Sequence, residues 1–377
     1  MNKTVNRLPV GKALLFLILS TLILSTGAAL AQATDQGASG LSGSQPDTMT
    51  FEGVPPKPEL AFITGNAWVL YASGPIDEDA ARRLEAYLTS HHVPLRSHIY
   101  LDSPGGNLSA GMELGRVIRK YELTTDVGAR TSGAPTRHDV APGGCFSSCA
   151  LAFLGGRFRY LMKDSHYGVH RFAFRNPAPN GVDIAQMASA AIVQYLRDLD
   201  IDTRLFTFAS SAGESEIFEP TRSQLKELNV VNDGETRATW TIESIPDGIY
   251  LKGERDTVFG INKFILTCES KRIGLLVIFD PRHHEEEVLR FTVDYLVLDG
   301  FRVRIDHARS SRGVRNGWIN AAYRLTEPQI SAIAKAKTVG VEMLLTADAS
   351  IFFGFDAMPV GSGADKIKGF IRSCRGS

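Results

Sequence analysis

Three short stretches of this 377-residue chain hold residue types that can do acyl-transfer chemistry. Ser103-Pro104-Gly105-Gly106-Asn107 lies between an apolar run and a helical one. Two adjacent glycines let a backbone turn with its N–H groups exposed, and such a corner can donate to an oxyanion. Gly144-Cys145-Phe146-Ser147-Ser148-Cys149-Ala150 enters an apolar helix. A serine in the first turn of a helix sits beside unpaired backbone donors and the positive end of the helix dipole. His170 follows on the next strand. A histidine can take the proton of a serine and return it to a leaving group. Each stretch also has a plain structural reading: a strand–helix turn, a helix N-cap, a packed core histidine. Only their joint occurrence points to chemistry.

The elements around them must hold them in place. Ala61 to Tyr71 reads as a strand, and Gly74-Pro75 turns the chain. Asp77 caps a helix with Ala81, Leu84 and Leu88 on one stripe. His98 to Leu101 is a short buried strand, and Leu108 to Lys120 is helical again. Strand and helix alternate, which implies βαβ units and a largely parallel sheet. Residues 128–144 form a long loop. Tyr167 to Phe172 reads as a strand, and 184–199 as a long amphipathic helix. Thr221 and Gln224 make a capping box. After residue 234 the composition shifts to short apolar or alternating runs over 240–245, 248–251, 264–268 and 275–279. These predict an antiparallel β-rich domain, with helices near 327–337 and 364–371.

Gly74-Pro75-Ile76-Asp77, the run from Ile99 through Ser103-Pro104-Gly105-Gly106-Asn107 to Met112, Ser148 with its apolar helix, and the strand ending in His170 together resemble the Clp protease proteolytic subunit. Order and approximate spacing match as well. The resemblance covers about residues 60–234 and extends to the ClpP/crotonase superfamily, nearest to its exported bacterial members. It implies an α/β fold: a ClpP/crotonase-like β-β-α spiral domain over 59–234, followed by the smaller β-rich (α+β) domain over 235–377. It implies a serine peptidase working through an acyl-enzyme. Ser148 is then the nucleophile and His170 the general base. Gly106 and Cys149 donate their N–H groups to the oxyanion. Ser147 sits one position off the pattern, and a helical step of about 100° would turn it elsewhere. A homo-oligomer is also implied.

The chain departs from that pattern. No Asp stands where the family's acid belongs, and 211–219 offers only glutamates. Glu216 is chosen as the orienting acid, ahead of Glu219. The alternative function is a catalytically inactive binding or assembly module of the cell envelope. His138, His166 and Lys163 are weaker candidates near the site. Cys145 and Cys149 flank Ser148. Positions i and i+4 of one helix are too far apart for a bridge, so a disulfide requires Cys145 to lie before the helix. Cys268 and Cys374 are expected to pair. Two cysteines make a poor zinc site, and His283-His284-Glu285-Glu286-Glu287 reads as a solvated loop, so no metal is expected. No Rossmann fingerprint or P-loop is present, so no cofactor is expected.

The N-terminus supplies the context. Lys3, Arg7 and Lys12 precede the apolar run Ala13 to Leu24, which ends in Ala29-Leu30-Ala31. This is the pattern of a signal peptide over 1–31, cleaved before Gln32. The alternative is an inner-membrane anchor over 13–31, long enough to span, and only that alternative brings a membrane partner. Residues 32–58, rich in Gly, Ser, Pro and Gln, read as a disordered linker. The expected location is the periplasm, and the expected partner is a peptide or an unfolded protein. The full chain has 41 basic and 41 acidic residues, and removing 1–31 leaves an excess of three acids. That balance argues against nucleic-acid binding. Mean hydropathy is −0.06 with 44% apolar residues, ordinary globular values.

Overall fold

The computed structural model describes residues 47–60, 66–131, 140–172, 180–213, 216–246 and 248–376. The signal segment, most of the linker, His138 and the stretch Glu214-Ser215 lie outside the described residues. The first sheet has the order β1 (Thr50–Val54), β2 (Val69–Ser73), β3 (His98–Asp102) and β4 (Thr124–Val127). β2, β3 and β4 run parallel, as the alternating pattern predicts, and β1 is an antiparallel edge. The expected linker over 32–58 therefore ends early. Met49 is buried, and Thr50–Val54 alternates exposed and half-buried positions along β2. The five-residue strand is too short to show its period within a Gly-, Ser- and Pro-rich context.

Helices α1 (Ala80–Ser90) and α2 (Leu108–Lys120) fill the crossovers between the parallel strands. Asn107 caps α2 by accepting from Ala110 N at 3.0 Å. Asp77 does not cap α1 directly; the helix begins three residues later. Its carboxylate instead collects Asp79 N, Met49 N and Arg83 Nη1 at 3.1, 3.1 and 2.8 Å. Arg83 also donates to Met49 O. The Arg83 guanidinium, with the backbone donors of Asp79 and Met49, holds the Asp77 carboxyl well below the usual carboxylate range against the opposing effect of burial. One acid thus ties the edge strand to the first helix.

Short strands β5 (Ala129–Arg130) and β6 (Val140–Ala141) pair with each other, and β7 (Gly144–Phe146) pairs in parallel with β8 (His166–Gly168). Helix α3 (Ser148–Leu154) runs between β7 and β8, with all seven residues buried. That explains its continuous apolar run. Tyr167 and Tyr195 donate their phenols to Ala150 O and Leu151 O at 3.2 and 2.9 Å. Tyr195 lies on α4 (Gly181–Asp198), followed by α5 (Arg204–Ser211) and α6 (Arg222–Glu227). Arg159, fully buried, donates to the carbonyls of Val230, Gly156 and Asn229 at 2.9, 2.7 and 2.8 Å. Burial pushes its guanidinium down to about 9.

Beyond residue 238 the chain is antiparallel. β15, β16, β12, β11, β10 and β9 form one sheet in that order: Ser310–Arg315, Trp318–Arg324, Arg272–Phe279, Gly260–Glu269, Gly248–Thr257 and Thr239–Ile245. β14 (Phe301–Ile305), β13 (Val293–Leu298), β17 (Thr338–Leu344) and β18 (Phe353–Pro359) form another. Where a solvated loop is expected over 283–287, a short helix α7 (Glu285–Leu289) forms instead, its three glutamates in the first turn and Val288 buried beneath. Helices α8 (Glu327–Ile333) and α9 (Ala364–Arg375) fall where the apolar spacing predicts them. Cys268 on β11 and Cys374 on α9 form the expected disulfide. The buried apolar residues fall into two clusters, one drawn from 49–231 and one from 240–374. Asp256 of β10 bridges them, accepting from Arg157 Nε at 2.5 Å and Arg96 Nη2 at 3.2 Å.

Asp77→Asn is expected to lower unfolding free energy by about 1–3 kcal/mol at neutral pH, measured by denaturant titration, since it removes charge-assisted hydrogen bonds. Because the folded-state pKa is depressed, this stability is present above the unfolded value near about 4 and is lost as pH falls through the folded value. The gap between wild type and variant should therefore close in acid.

Candidate active site

Ser147 is the single residue between the end of β7 and the start of α3. Within that one residue the chain changes from extended to helical, so the residue takes φ 58° and ψ −123°. A non-glycine residue seldom adopts this conformation, and holding one costs about 1–3 kcal/mol. The surroundings fix it. Ser147 N donates to Gly168 O at 3.0 Å, and Ser147 O accepts from Ala150 N at 3.0 Å. Cys145 on β7 and Cys149 on α3 are joined by a disulfide that spans the elbow. Cys145 does lie before the helix, as the bridge requires.

The glycine turn meets this elbow directly. Ser103 N donates to Gly144 O and Phe146 N to Ser103 O, which lays 103 alongside β7. Asp102 Oδ1 accepts from Gly144 N at 2.9 Å. Gly105 has φ +95°, and a Cβ there would stand 2.7 Å from Ser147 Cβ and 3.1 Å from Ser148 N. Only glycine allows this approach. Gly106, at φ +150°, presses against Ile76, whose carbonyl would lie 2.2 Å from any Cβ. The Gly-Pro-Ile-Asp segment is therefore the back wall of the glycine turn. Ser148 N–H belongs to the first helical turn, where backbone donors have no intrahelical acceptor. The turn and the helix start thus abut at the side chain of Ser147.

The two serines occupy different environments. Ser148 is 1% exposed, and its hydroxyl is buried without a hydrogen-bond partner. It packs against α2, where a Cβ on Gly111 would lie 2.8 Å from Ser148 Cβ. Ser147 is half-buried and opens on a cavity of ≈ 250 Å³. His170 and Arg171 line the same cavity, whose apolar walls include Leu108, Leu151, Ile192 and Phe206. This corrects the assignment from sequence, which put the available hydroxyl on Ser148. That assignment treated Ser147 as helical, whereas the elbow turns its side chain out and sends Ser148 into the helix–helix contact. The available signal was spacing: one residue is left between a strand and an apolar helix, inside Cys-x-x-x-Cys. With Ser147 at the elbow, the N–H of the following residue is that of Ser148. Cys149, the expected donor, is one residue further into the helix, completely buried and disulfide-bonded.

His170 Nδ1 lies 2.9 Å from Arg171 O. A carbonyl only accepts, so Nδ1 carries the proton and Nε2 is left as an acceptor. Among the described residues no carboxylate contacts this ring. Glu216 is exposed, and its carboxylate accepts from Gly213 N at 3.3 Å. The expected His170–Glu216 pair is therefore not formed. Glu219 sits 2.8 Å from His166 Nδ1 instead. Phe218, which pairs with Val169 through both backbone bonds as an isolated bridge, lies between the two glutamates together with Ile217. Lys163 lies on an exposed turn and is absent from the cavity lining.

No family model matches the chain, and no curated protein matches it. Among solved structures, a ClpP1 mutant from Listeria monocytogenes matches with a TM-score of 0.33 and 14% identity, covering 46% of this chain and 92% of that one.

Ser148→Ala removes a buried, unpartnered hydroxyl. It should leave the fold intact and raise stability by about 1 kcal/mol, since an unsatisfied buried polar group costs about 1–3 kcal/mol. Thermal unfolding of the purified variant checks this.

Proposed function

We propose that the chain is a serine hydrolase, an exported and ATP-independent peptidase, with Ser147 as nucleophile and His170 as general base. One observation carries the reading: a serine is held in a rare backbone conformation at a strand–helix elbow, with its side chain in a cavity shared with His170. A strained strand–helix elbow is how serine hydrolases present a nucleophile, and His170 lines the same cavity as a candidate base. Peptide bonds as substrate rest on the sequence resemblance to the Clp proteolytic subunit. Export rests on the N-terminal pattern together with two disulfides, which belong to an oxidising compartment.

In this reading Ser147 Oγ attacks the scissile carbonyl while its proton passes to His170 Nε2. The oxyanion of the tetrahedral intermediate accepts from the N–H groups of Gly106 and Ser148. The imidazolium returns its proton to the leaving amine, and the acyl group stays on Ser147. Water, deprotonated by His170, then releases the acid. The Arg171 carbonyl orients the imidazole, the task usually given to a carboxylate.

A second reading, a non-catalytic binding module, draws on the lack of a carboxylate at His170 among the described residues and on the added β-rich half. A fluorophosphonate probe separates the two. Wild type and Ser148→Ala should label at Ser147, and Ser147→Ala should not. His170→Ala should label about 100–10,000 times more slowly. An unlabelled but folded wild-type protein would exclude the hydrolase and leave the binding module.

A further inference from the structure

The outer face of the six-stranded sheet carries a second concavity, remote in sequence from Ser147. The register places Thr267, Gly274 and Arg324 in one row across β11, β12 and β16. Glu269 and Arg272 form the next row. Gly274 contributes no side chain, so the surface dips there into a groove of ≈ 830 Å³. Lys271, Arg272, Arg309 and Arg324 line it and are exposed.

The charges in this groove are not balanced. No ion pair is formed by Lys271, Arg272, Arg309 or Arg324 among the described residues. Arg309 Nη1 reaches only the Arg324 carbonyl, at 3.5 Å. Of the two acids lining the groove, Glu327 is engaged by Arg375, which leaves Glu269 opposite Arg272. Like charges gathered on neighbouring strands repel, and a fold does not gain from them. The hairpin that brings Lys271 and Arg272 here also takes an unfavourable turn. Ser270 and Lys271 both have positive φ, 49° and 63°, in the two positions where Asn-Gly is preferred. A net-acidic mature chain thus keeps four cations together at a conformational cost.

We propose that this groove binds a ligand carrying two or more phosphate groups. Three arginines supply planar forks that match phosphate oxygens, and the lysine adds a point charge. Four positive charges against one free carboxylate call for more than one negative charge on the ligand. Such phosphates could be free in solution or displayed on a lipid headgroup, and the chemistry of recognition is the same.

The test uses the full mature chain at low ionic strength. Inorganic pyrophosphate, titrated by calorimetry, represents the soluble source. Phosphatidylcholine vesicles with and without cardiolipin, in a co-sedimentation assay, represent the lipid source. Binding of either probe is expected, weakened by added salt. Arg324→Glu and Arg272→Glu should each weaken it by about tenfold or more. Arg324→Gln should have a smaller effect of the same sign. Arg315→Glu changes the net charge equally outside the groove and should leave binding unchanged. Binding of pyrophosphate alone identifies a soluble ligand, and selective sedimentation with cardiolipin identifies a lipid. No binding of either probe would overturn the proposal. So would equal loss in Arg315→Glu, or citrate binding as tightly as pyrophosphate.

Discussion

The structure around the cavity depends on one backbone constraint. Ser147 must carry the chain from extended strand to helix by itself, in a conformation that L-residues avoid. Everything that touches it opposes relaxation. β8 accepts its N–H, the first turn of α3 bonds its carbonyl, and the Cys145–Cys149 bridge clamps both sides. Gly105 can approach only because it lacks a Cβ. Strain of this kind persists where the surroundings over-determine it, and here the surroundings include three elements and a covalent bond.

Packing then converts that constraint into a cavity. α3 is buried all round, so its position is fixed by α2, by Tyr167 and by Tyr195 of α4. Gly115 permits the Tyr195 contact, since a Cβ there would lie 1.9 Å from the phenol oxygen. The same helix α4 that anchors α3 contributes Ile192 and Leu196 to the cavity wall. Ser147 and His170 therefore line an apolar space whose walls are tied to the helix that follows Ser147. Low polarity around such a pair strengthens each electrostatic contact inside it.

The second half of the chain has a different surface chemistry. Its core closes on Trp240 and α9, with Trp240 Nε1 donating to Pro359 O at 3.0 Å and the Cys268–Cys374 bridge locking α9 to β11. One groove on its outer sheet face is lined by cations, where the first half's cavity has mostly apolar walls. Asp256, gripped by Arg96 and Arg157, joins the two halves through charge, beside the backbone pairing of Glu235 with Thr257. Such a junction leaves each core self-contained.

Periodicity placed part of the regular structure, although the strands expected over 61–71 and 167–172 are observed as Val69–Ser73 and His166–Gly168 and the strands beyond 290 carry no such signal. The stripe over 108–120, the capping box at Thr221 and Gln224, and the antiparallel runs after 238 all fold where local pattern puts them. Local rules suffice there because one face of each element is buried. The edge strand 50–54 carries no signal in its own sequence, because pairing with β2, not composition, orders it. The cysteine pairs and the three chemical stretches were also legible, since spacing and residue type carry them. What only the tertiary structure decided is which hydroxyl is available and what orients the histidine. Ser147 and Ser148 are identical in type and adjacent in sequence. Their difference arises from a backbone angle imposed by β8 and Gly105, contacts distant in the chain, together with the local Cys145–Cys149 bridge. Glu216 could be chosen by sequence proximity, but its distance from His170 is set by the pairing of Phe218 with Val169. Residue types are written in the sequence; the direction in which a side chain points is set by the contacts that close around it.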